Sequence, residues 1–491
     1  MFETILCNIA YITGIIVIVW SMYYLFLYLA STFKVKRKYP IVEDKQRFCI
    51  FIPCHNEEDV IGATVENMSK IEYNPSLVDF YIIADNCKDK TAEVANDRIK
   101  QLNLTNFQVL ERNVTDAKKN GKPHALRWGI KTLEDKDEFY NKYDMFMILD
   151  ADNFVDKDIL KHINSQYEFA KPNKKPCMIQ CYLDSKNANN IIAKGYNYSY
   201  RIFSNRATLL AKKHLGLNAC ICGTGFIITT KFLKEVGGFN AKSLTEDLEI
   251  QTMANIRNKI ILYNPYVRVY DEKPTGLKQS YVQRTRWAKG YWYVGFKFIP
   301  RLLISLFNFK SFRNFFSKID NIMQLLSSVM TISMIINFLC SIIAFFAGIN
   351  LWTLSPYGTG IPAQIINIAI SVFTLILFPL CAILQDGTER EKHLLILKLP
   401  LINIALLIIT AIHSLATLHA LFTWPNQGKW AKTKHVQTVN TNVDEKANIT
   451  INSETKSQTE KNLEVIYMQQ PLQEIDKKEE SDKKKVKVSV T

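Results

Sequence analysis

Two aspartates one residue apart, Asp150 and Asp152, end the apolar run MFMILDAD. Carboxylates this close repel unless a cation joins them, and oxygen-only ligands suit Mg2+ or Mn2+, which keep waters and bridge to phosphates. Asp85 ends another apolar run, DFYIIAD. There the simpler reading for Asp85, as for Asp89, is a cap on the following helix. Glu246 and Asp247 follow Thr245 in SLTEDLEI; one could act as a general base, or both could sit in a helix start favoured by the dipole. In CGTGFI, Gly223 and Gly225 flank Thr224, a pattern for a tight turn or for close approach of a ligand to backbone. Lys122 and His124, in NGKPHALRWGI, precede a helical pattern where a phosphate could be met. Gln283, Arg284, Arg286 and Trp287 crowd QSYVQRTRWAKGYWYVG. A guanidinium can clamp phosphate oxygens with paired hydrogen bonds, and an indole offers a flat apolar face. The alternative for this stretch is an aromatic belt on a helix lying at a membrane surface.

These groups need a frame that brings them together. Short apolar runs (48–53, 79–84, 145–149) alternate with helical patterns (58–71, 88–102). Such alternation predicts an α/β domain with a Rossmann-like, mostly parallel sheet covered on both faces, and ligands bind beyond the carboxyl ends of its strands. The acids fall at those ends. Neither a Walker loop nor the dinucleotide-binding glycine fingerprint is present.

The chain has 491 residues, a formal net charge of +15 and 48% hydrophobic residues, unevenly spread. Residues 5–30 carry no charge, long enough to cross a bilayer as a helix and too long for a cleavable signal. We read 1–33 as a transmembrane anchor. KVKRK at 34–38 follows it, and basic flanks favour the cytoplasmic side. A nucleic-acid patch is the weaker reading beside a membrane span, so no nucleic-acid partner is expected. Later apolar blocks at 319–349, 361–384 and 394–424 predict a C-terminal membrane region over 319–424, entered through an interfacial amphipathic stretch at 297–318. The ten cysteines lack paired zinc spacing and suit a reducing compartment. The charged, apolar-poor segment 436–491 cannot bury enough surface to offset its chain entropy and is expected to be disordered. Its lysines favour the cytoplasm. That places the tail inside only if one late block fails to cross; 394–424 is the candidate, because Lys398-Leu399-Pro400 could break it.

Taken in order, IPCHNEE, ADNCKDKTAEVA, GKPHAL, LDADN, GTGF, LTEDLE and QRTRW resemble the signature of the family 2 processive membrane glycosyltransferases, which include the synthases of cellulose, hyaluronan, chitin and poly-N-acetylglucosamine and related exopolysaccharide and capsule enzymes. The resemblance covers about residues 48–295. It implies a GT-A fold over 46–296, a nucleotide-sugar donor of the UDP type and a Mg2+ or Mn2+ cofactor. It also implies a growing glycan acceptor, and a β-linked exo- or capsular polysaccharide passed across the cell membrane from a cytoplasmic catalytic domain. By the resemblance Asp247 is the catalytic base, and Asp85, Lys122, Asp150 and Arg286 bind donor. Asp150 and Asp152 hold the metal. Gln283, Trp287, Glu246, Gly223, Thr224 and Gly225 line the acceptor side, Gln283, Arg286 and Trp287 belonging to the family's Q-x-x-R-W. Arg284 occupies that motif's variable slot, and the membrane part is shorter than in cellulose synthase. Two other readings remain: a non-processive transferase acting on a lipid or glycan acceptor, and a catalytically silent nucleotide-sugar-binding membrane protein. Sugar, linkage and oligomeric state are not written in these motifs.

Overall fold

The computed structural model describes residues 1–33, 37, 39–115, 121–135, 139–349, 372, 376–386 and 395–427. An eight-stranded sheet, in the order β3-β2-β1-β4-β7-β6-β8-β5, forms the centre. The strands are β1 (Phe48–Cys54), β2 (Val78–Asp85), β3 (Phe107–Arg112), β4 (Met145–Ile148), β5 (Phe154–Val155), β6 (Met178–Ser185), β7 (Phe226–Thr229) and β8 (Ile261–Asp271). The sheet is mixed. β1–β2, β1–β4, β2–β3 and β6–β8 pair in parallel; β4–β7, β6–β7 and β5–β8 pair antiparallel.

The helices, in chain order, are α1 (Phe2–Ser31), α2 (Ile61–Ser69), α3 (Thr91–Gln101), α4 (Lys122–Glu134), α5 (Ile159–Phe169), α6 (Ile191–Ser199), α7 (Ala211–His214), α8 (Thr230–Glu235), α9 (Glu246–Ile256), α10 (Leu277–Ser305), α11 (Phe312–Leu325), α12 (Ser327–Phe346), α13 (Phe378–Asp386) and α14 (Leu395–Thr423). A π-helical stretch, Tyr200–Leu210, joins α6 to α7. Alternate residues of the central strands feed two cores. Phe51, Tyr81, Phe146 and Ile148 pack with Leu126 and Leu133 of α4 and Ile250 of α9. Ile50, Phe80, Ile82 and Met147 pack with Val65 of α2, Ala95 of α3 and Ile163 of α5. Burying each such side chain stabilises by about 1.5–3 kcal/mol, so the acid-bearing strand ends stand on a rigid floor.

β3 was not anticipated, and the apolar run at 145–149 is the fourth strand in sequence. β3 lies at the sheet edge with Gln108 and Glu111 exposed, so it lacks the buried run that marked its neighbours.

Among the described residues, three helices have the length and apolar composition to cross a membrane: Phe2–Ser31, Ser327–Phe346 and Leu399–Thr423. The break expected at Lys398-Leu399-Pro400 does not occur, and α14 runs through Pro400. Pro400 is the sixth residue of α14, past the four N–H groups that lack an intrahelical partner, so the helix forgoes one backbone bond there and continues. Block 361–384 lies mostly, and the tail 436–491 wholly, outside the described residues. Between the sheet domain and these helices, α11 turns its polar face inward. Asn314, Ser317, Lys318, Asp320 and Asn321 are buried, while Phe312 and Phe316 are exposed.

Candidate active site

The acidic strand ends gather along one edge of the sheet, as parallel strands require. Asp85 closes β2 directly across from Arg112 at the end of β3. Their side chains form a buried ion pair, and Asn86 Nδ2 donates to Asp85 Oδ1 at 3.0 Å. The ring Nδ1 of His55 lies 2.7 Å from the Asp85 carbonyl oxygen. The carboxylate expected to meet the nucleoside is therefore already held by a guanidinium from the strand that sequence reading missed.

Asp150 follows β4, and the turn after it is internally braced. The Asp150 N–H donates to Asn153 Oδ1 at 2.9 Å and to Thr224 Oγ1 at 3.2 Å. The Thr224 hydroxyl in turn donates to Asn153 Oδ1. Thr224, expected on the acceptor side, is thus buried and spent on holding the Asp150–Asn153 turn. Gly225 has φ +63°, and a Cβ there would come within 2.8 Å of Val269 Cγ2, so close packing on β8 excludes any larger residue. Asp152 is buried, and its Oδ2 accepts the N–H of Glu272 at 3.1 Å.

The side chain of Asp150, by contrast, is 42% exposed, with Lys122 Nζ 2.5 Å from its Oδ1. Lys122, at the start of α4, also donates to the Gly223 carbonyl at 2.8 Å and lies 3.9 Å from Glu246 Oε1. One amine therefore joins the Asp150 turn, the glycine turn and the start of α9. His124 lies one residue beyond Pro123 in the first turn of α4. Among the described residues no cluster of three His, Cys, Asp or Glu could hold a metal by itself. Mg2+ and similar ions are commonly held by one or two carboxylates and completed by substrate phosphates. The exposed Asp150 carboxylate beside Asp152 fits a site completed that way.

Glu246 and Asp247 open α9, and the loop before them is tied to the helix. Glu249 Oε2 accepts the N–H groups of Lys242 and Ser243 at 2.9 and 3.0 Å. Thr245 stands at the N-cap of α9 and makes no side-chain cap. Glu246 is buried; desolvation raises its pKa, and Lys122 offsets this in part. Asp247 is half-buried and keeps some accessible surface. Burial, with the neighbouring Glu246 charge adding to it, pushes its carboxyl up to about 7, against relief from backbone N–H groups and Lys122. Its Oδ2 would lie 3.5 Å from a Cβ at Gly223, so the glycine keeps the approach to the carboxylate open. Arg286, on α10, faces the same carboxylates. Burial lowers its pKa, opposed by Glu246, Asp150 and Asp247.

α10 carries the rest of the cluster. The Arg284 guanidinium lies between two rings, 4.7 Å from the Tyr196 centroid and 4.9 Å from that of Trp287. Its Nε donates to Tyr196 Oη at 3.3 Å. The variable slot of the motif thus orients Trp287 by a cation–π contact. Gln283 has a buried Oε1 with no hydrogen-bond partner among the described residues. Gly290 sets the depth at which α10 sits, since a Cβ there would fall 2.3 Å from Thr245 Oγ1.

Residues 46–290 match the family described as "Glycosyltransferase like family 2". These residues are a family 2 glycosyltransferase domain. The "Probable glycosyltransferase YdaM" of Bacillus subtilis is 24% identical over 276 residues, covering 55% of this chain and 62% of that protein. The poly-beta-1,6-N-acetyl-D-glucosamine synthase of Staphylococcus aureus is 27% identical over 252 residues, covering 51% and 55%. The chain thus spans less than two thirds of the length of these relatives. A solved mannosyltransferase from Pyrobaculum calidifontis, in complex with GDP-Man and Mn2+, superposes with a TM-score of 0.51 at 13% identity, covering 84% of this chain and 99% of that one. The shared fold is GT-A.

The glycosyltransferase domain also places groups at the site that sequence reading passed over. Asp271 ends β8, with Lys273 Nζ 2.5 Å from its Oδ1. Burial raises Asp271 to about 6; Lys273 opposes this, while Asp152 and Asp150 add to it. The ammonium of Lys273 lies 3.3 Å from the ring centroid of Tyr200. The hint was in VRVYDEK, an apolar strand pattern closed by an acid, as in DFYIIAD.

Proposed function

We propose that the protein is a membrane-embedded, inverting glycosyltransferase. It adds sugars from a UDP-sugar donor to a growing β-linked glycan and passes the product across the membrane. The observation that carries this reading is the charge cluster in which Asp247, its carboxyl raised to about 7, lies among Glu246, Lys122 and Arg286, with Lys122 also paired to Asp150. An acceptor hydroxyl attacks the anomeric carbon while Asp247 takes its proton, as a base with a pKa near the working pH does best. The bond from that carbon to the diphosphate oxygen breaks, and the nucleoside diphosphate leaves with the electron pair. Lys122 and Arg286, both partly buried, supply fixed positive charge where the leaving group gains negative charge. When bound, Mg2+ or Mn2+ held by Asp150 and Asp152 supplies Lewis-acid neutralisation at the diphosphate. Trp287, oriented by Arg284, offers a stacking face for the acceptor sugar, and Gln283 Oε1 an open acceptor for its hydroxyls.

Passage through the membrane is supported by position. α10 packs directly on α14, where Trp292 Nε1 donates to the Thr417 carbonyl at 3.3 Å. The basic flank at 34–38 favours a cytoplasmic catalytic domain and a multi-pass protein. The family resemblance and the synthase relative favour a polymer product. The test is a panel of UDP-sugars offered to the full chain in lipid, reading UDP release and product length. Release of UDP with long products supports the reading. Single-sugar products overturn the processive part, and no release with any donor overturns the transferase.

A further inference from the structure

The loop that leads into Glu246 and Asp247 is gripped from outside the domain core. Lys242 and Ser243 give their N–H groups to Glu249, and the Ser243 hydroxyl donates to the Thr245 carbonyl at 2.9 Å. Leu244 lies between them, and its N–H donates to Gln427 Oε1 at 2.8 Å. Gln427 sits just past the end of α14, the last of the three span-length helices. Its Nε2 donates to the Trp424 carbonyl at 2.6 Å and to the Lys289 carbonyl on α10 at 3.3 Å. One amide therefore touches three elements: the exit of a membrane-length helix, the helix that carries Arg286 and Trp287, and the loop before the carboxylate pair. The surrounding contacts fix where it sits. Trp424 packs on Phe296 and Tyr293 of α10 at 4.9 and 6.3 Å between ring centroids. On the other side of the loop, Thr245 rests against Gly290 with no space for a Cβ.

We propose that Gln427 is a positioning residue for the Glu246–Asp247 carboxylates, tying their loop to the end of α14 so that the setting of this helix is felt at the base. The proposal rests on the reading of Asp247 as base. Leu244 is only 7% exposed, and a buried N–H left without a partner is costly. The loop must shift to find another acceptor when the amide is removed. A shift there displaces Glu246 and Asp247, which follow directly, while Asp85 at the end of β2 and Asp150 and Asp152 in the turn after β4 stand on other elements. Loss of the tie should therefore slow turnover and leave donor capture intact.

The experiment uses the full chain in lipid with Gln427→Met, which keeps the length of the side chain and removes both polar atoms. Hydrogen exchange follows the Leu244 and Ile250 amides without donor, and steady-state kinetics give kcat and the donor KM. We expect Leu244 to exchange about tenfold faster and kcat to fall about tenfold, the size of one lost hydrogen bond. The donor KM and the exchange of Ile250, inside α9, should stay unchanged. Unchanged Leu244 exchange, or an unchanged kcat, overturns the proposal. So does an equal rise in exchange at Ile250, which would mean general loosening. An unaltered chain that releases no UDP overturns the functional reading instead. That failure is distinguishable, because the exchange arm needs no turnover.

Discussion

Two buried clusters of charge lie close together in this protein, and they are built on opposite rules. Beneath the glycosyltransferase domain, Lys212 Nζ lies 2.7 Å from Asp320 Oδ2, and the Tyr23 hydroxyl donates to Asp320 Oδ1 at 2.5 Å. The same amine contacts Cys220 Sγ at 2.7 Å. Burial drives the Lys212 pKa down, but Asp320 outweighs it and the net shift is upward. Each oxygen of Asp320 has a partner, and the cluster joins α1, α7 and α11. In the second cluster, Lys122 is shared by Asp150 and Glu246, and burial, with the Glu246 charge adding to it, leaves the Asp247 carboxyl raised. Complete pairing suits a joint. Incomplete pairing leaves room for an acceptor's proton and a donor's diphosphate to finish the electrostatics.

The contrast is tested most strongly at Asp247. Asp247→Asn keeps shape but cannot accept the proton. We expect turnover to fall by about 10²–10⁴-fold, a general-base effect, with donor affinity nearly unchanged. Isothermal titration with UDP-sugar alongside UDP release separates the two quantities. Loss of donor binding would make Asp247 a structural residue like Asp320.

The complementary change is Lys212→Met. It strands Asp320 as a buried carboxylate, and breaking such a pair costs about 3–5 kcal/mol. Thermal unfolding in detergent should show a large drop, and a second change, Asp320→Asn, should recover much of it. If Lys212→Met unfolds like the unaltered chain, the joint is not where stability resides.

Trp287 is the next step down. Trp287→Ala removes a stacking face worth about 1–3 kcal/mol and leaves Arg284 with Tyr196 alone. Polymer yield per folded molecule should fall strongly while Trp287→Phe keeps part of it. Normal yield from folded Trp287→Ala would assign the ring to the membrane surface instead.

Much of this architecture could be read from the chain because acids closing apolar runs mark strand ends in a mainly parallel sheet. Asp85 and Asp150 stand at one edge for that reason, whereas the Glu246–Asp247 pair opens α9 and was marked only by its place at a helix start. What stayed hidden depends on contacts across long sequence distances. Arg112 ends an edge strand whose exposed Gln108 and Glu111 conceal it, so the occupied state of Asp85 could not be foreseen. Thr224 reads as a ligand-facing residue between two glycines, yet its hydroxyl is spent on Asn153. Nothing in the residues around Gln427 announces Leu244 as its partner. Pro400 signals a break in isolation, yet α14 continues through it at the loss of one backbone hydrogen bond.

The smallest effect expected is in the pH dependence of stability, and it separates the two clusters without any substrate. The Asp247 carboxyl rises from 3.8 to about 7 on folding because of burial and Glu246. A raised carboxyl binds its proton more tightly in the folded chain. Its stabilising contribution is therefore full below 3.8 and is lost as pH climbs toward about 7. Above that the folded protein carries a poorly compensated buried charge, which Asp247→Asn removes. The difference in melting temperature, Asn variant minus unaltered chain, should be near zero in acid, grow as pH rises through this window, and then level off. Glu246, raised in the same direction by burial, steepens the loss of stability with rising pH in both chains. Over the same window the unaltered enzyme should gain activity as Asp247 loses its proton. A melting difference that stays flat across the range would mean that Asp247 is as well compensated as Asp320, and the contrast between the two clusters would fail.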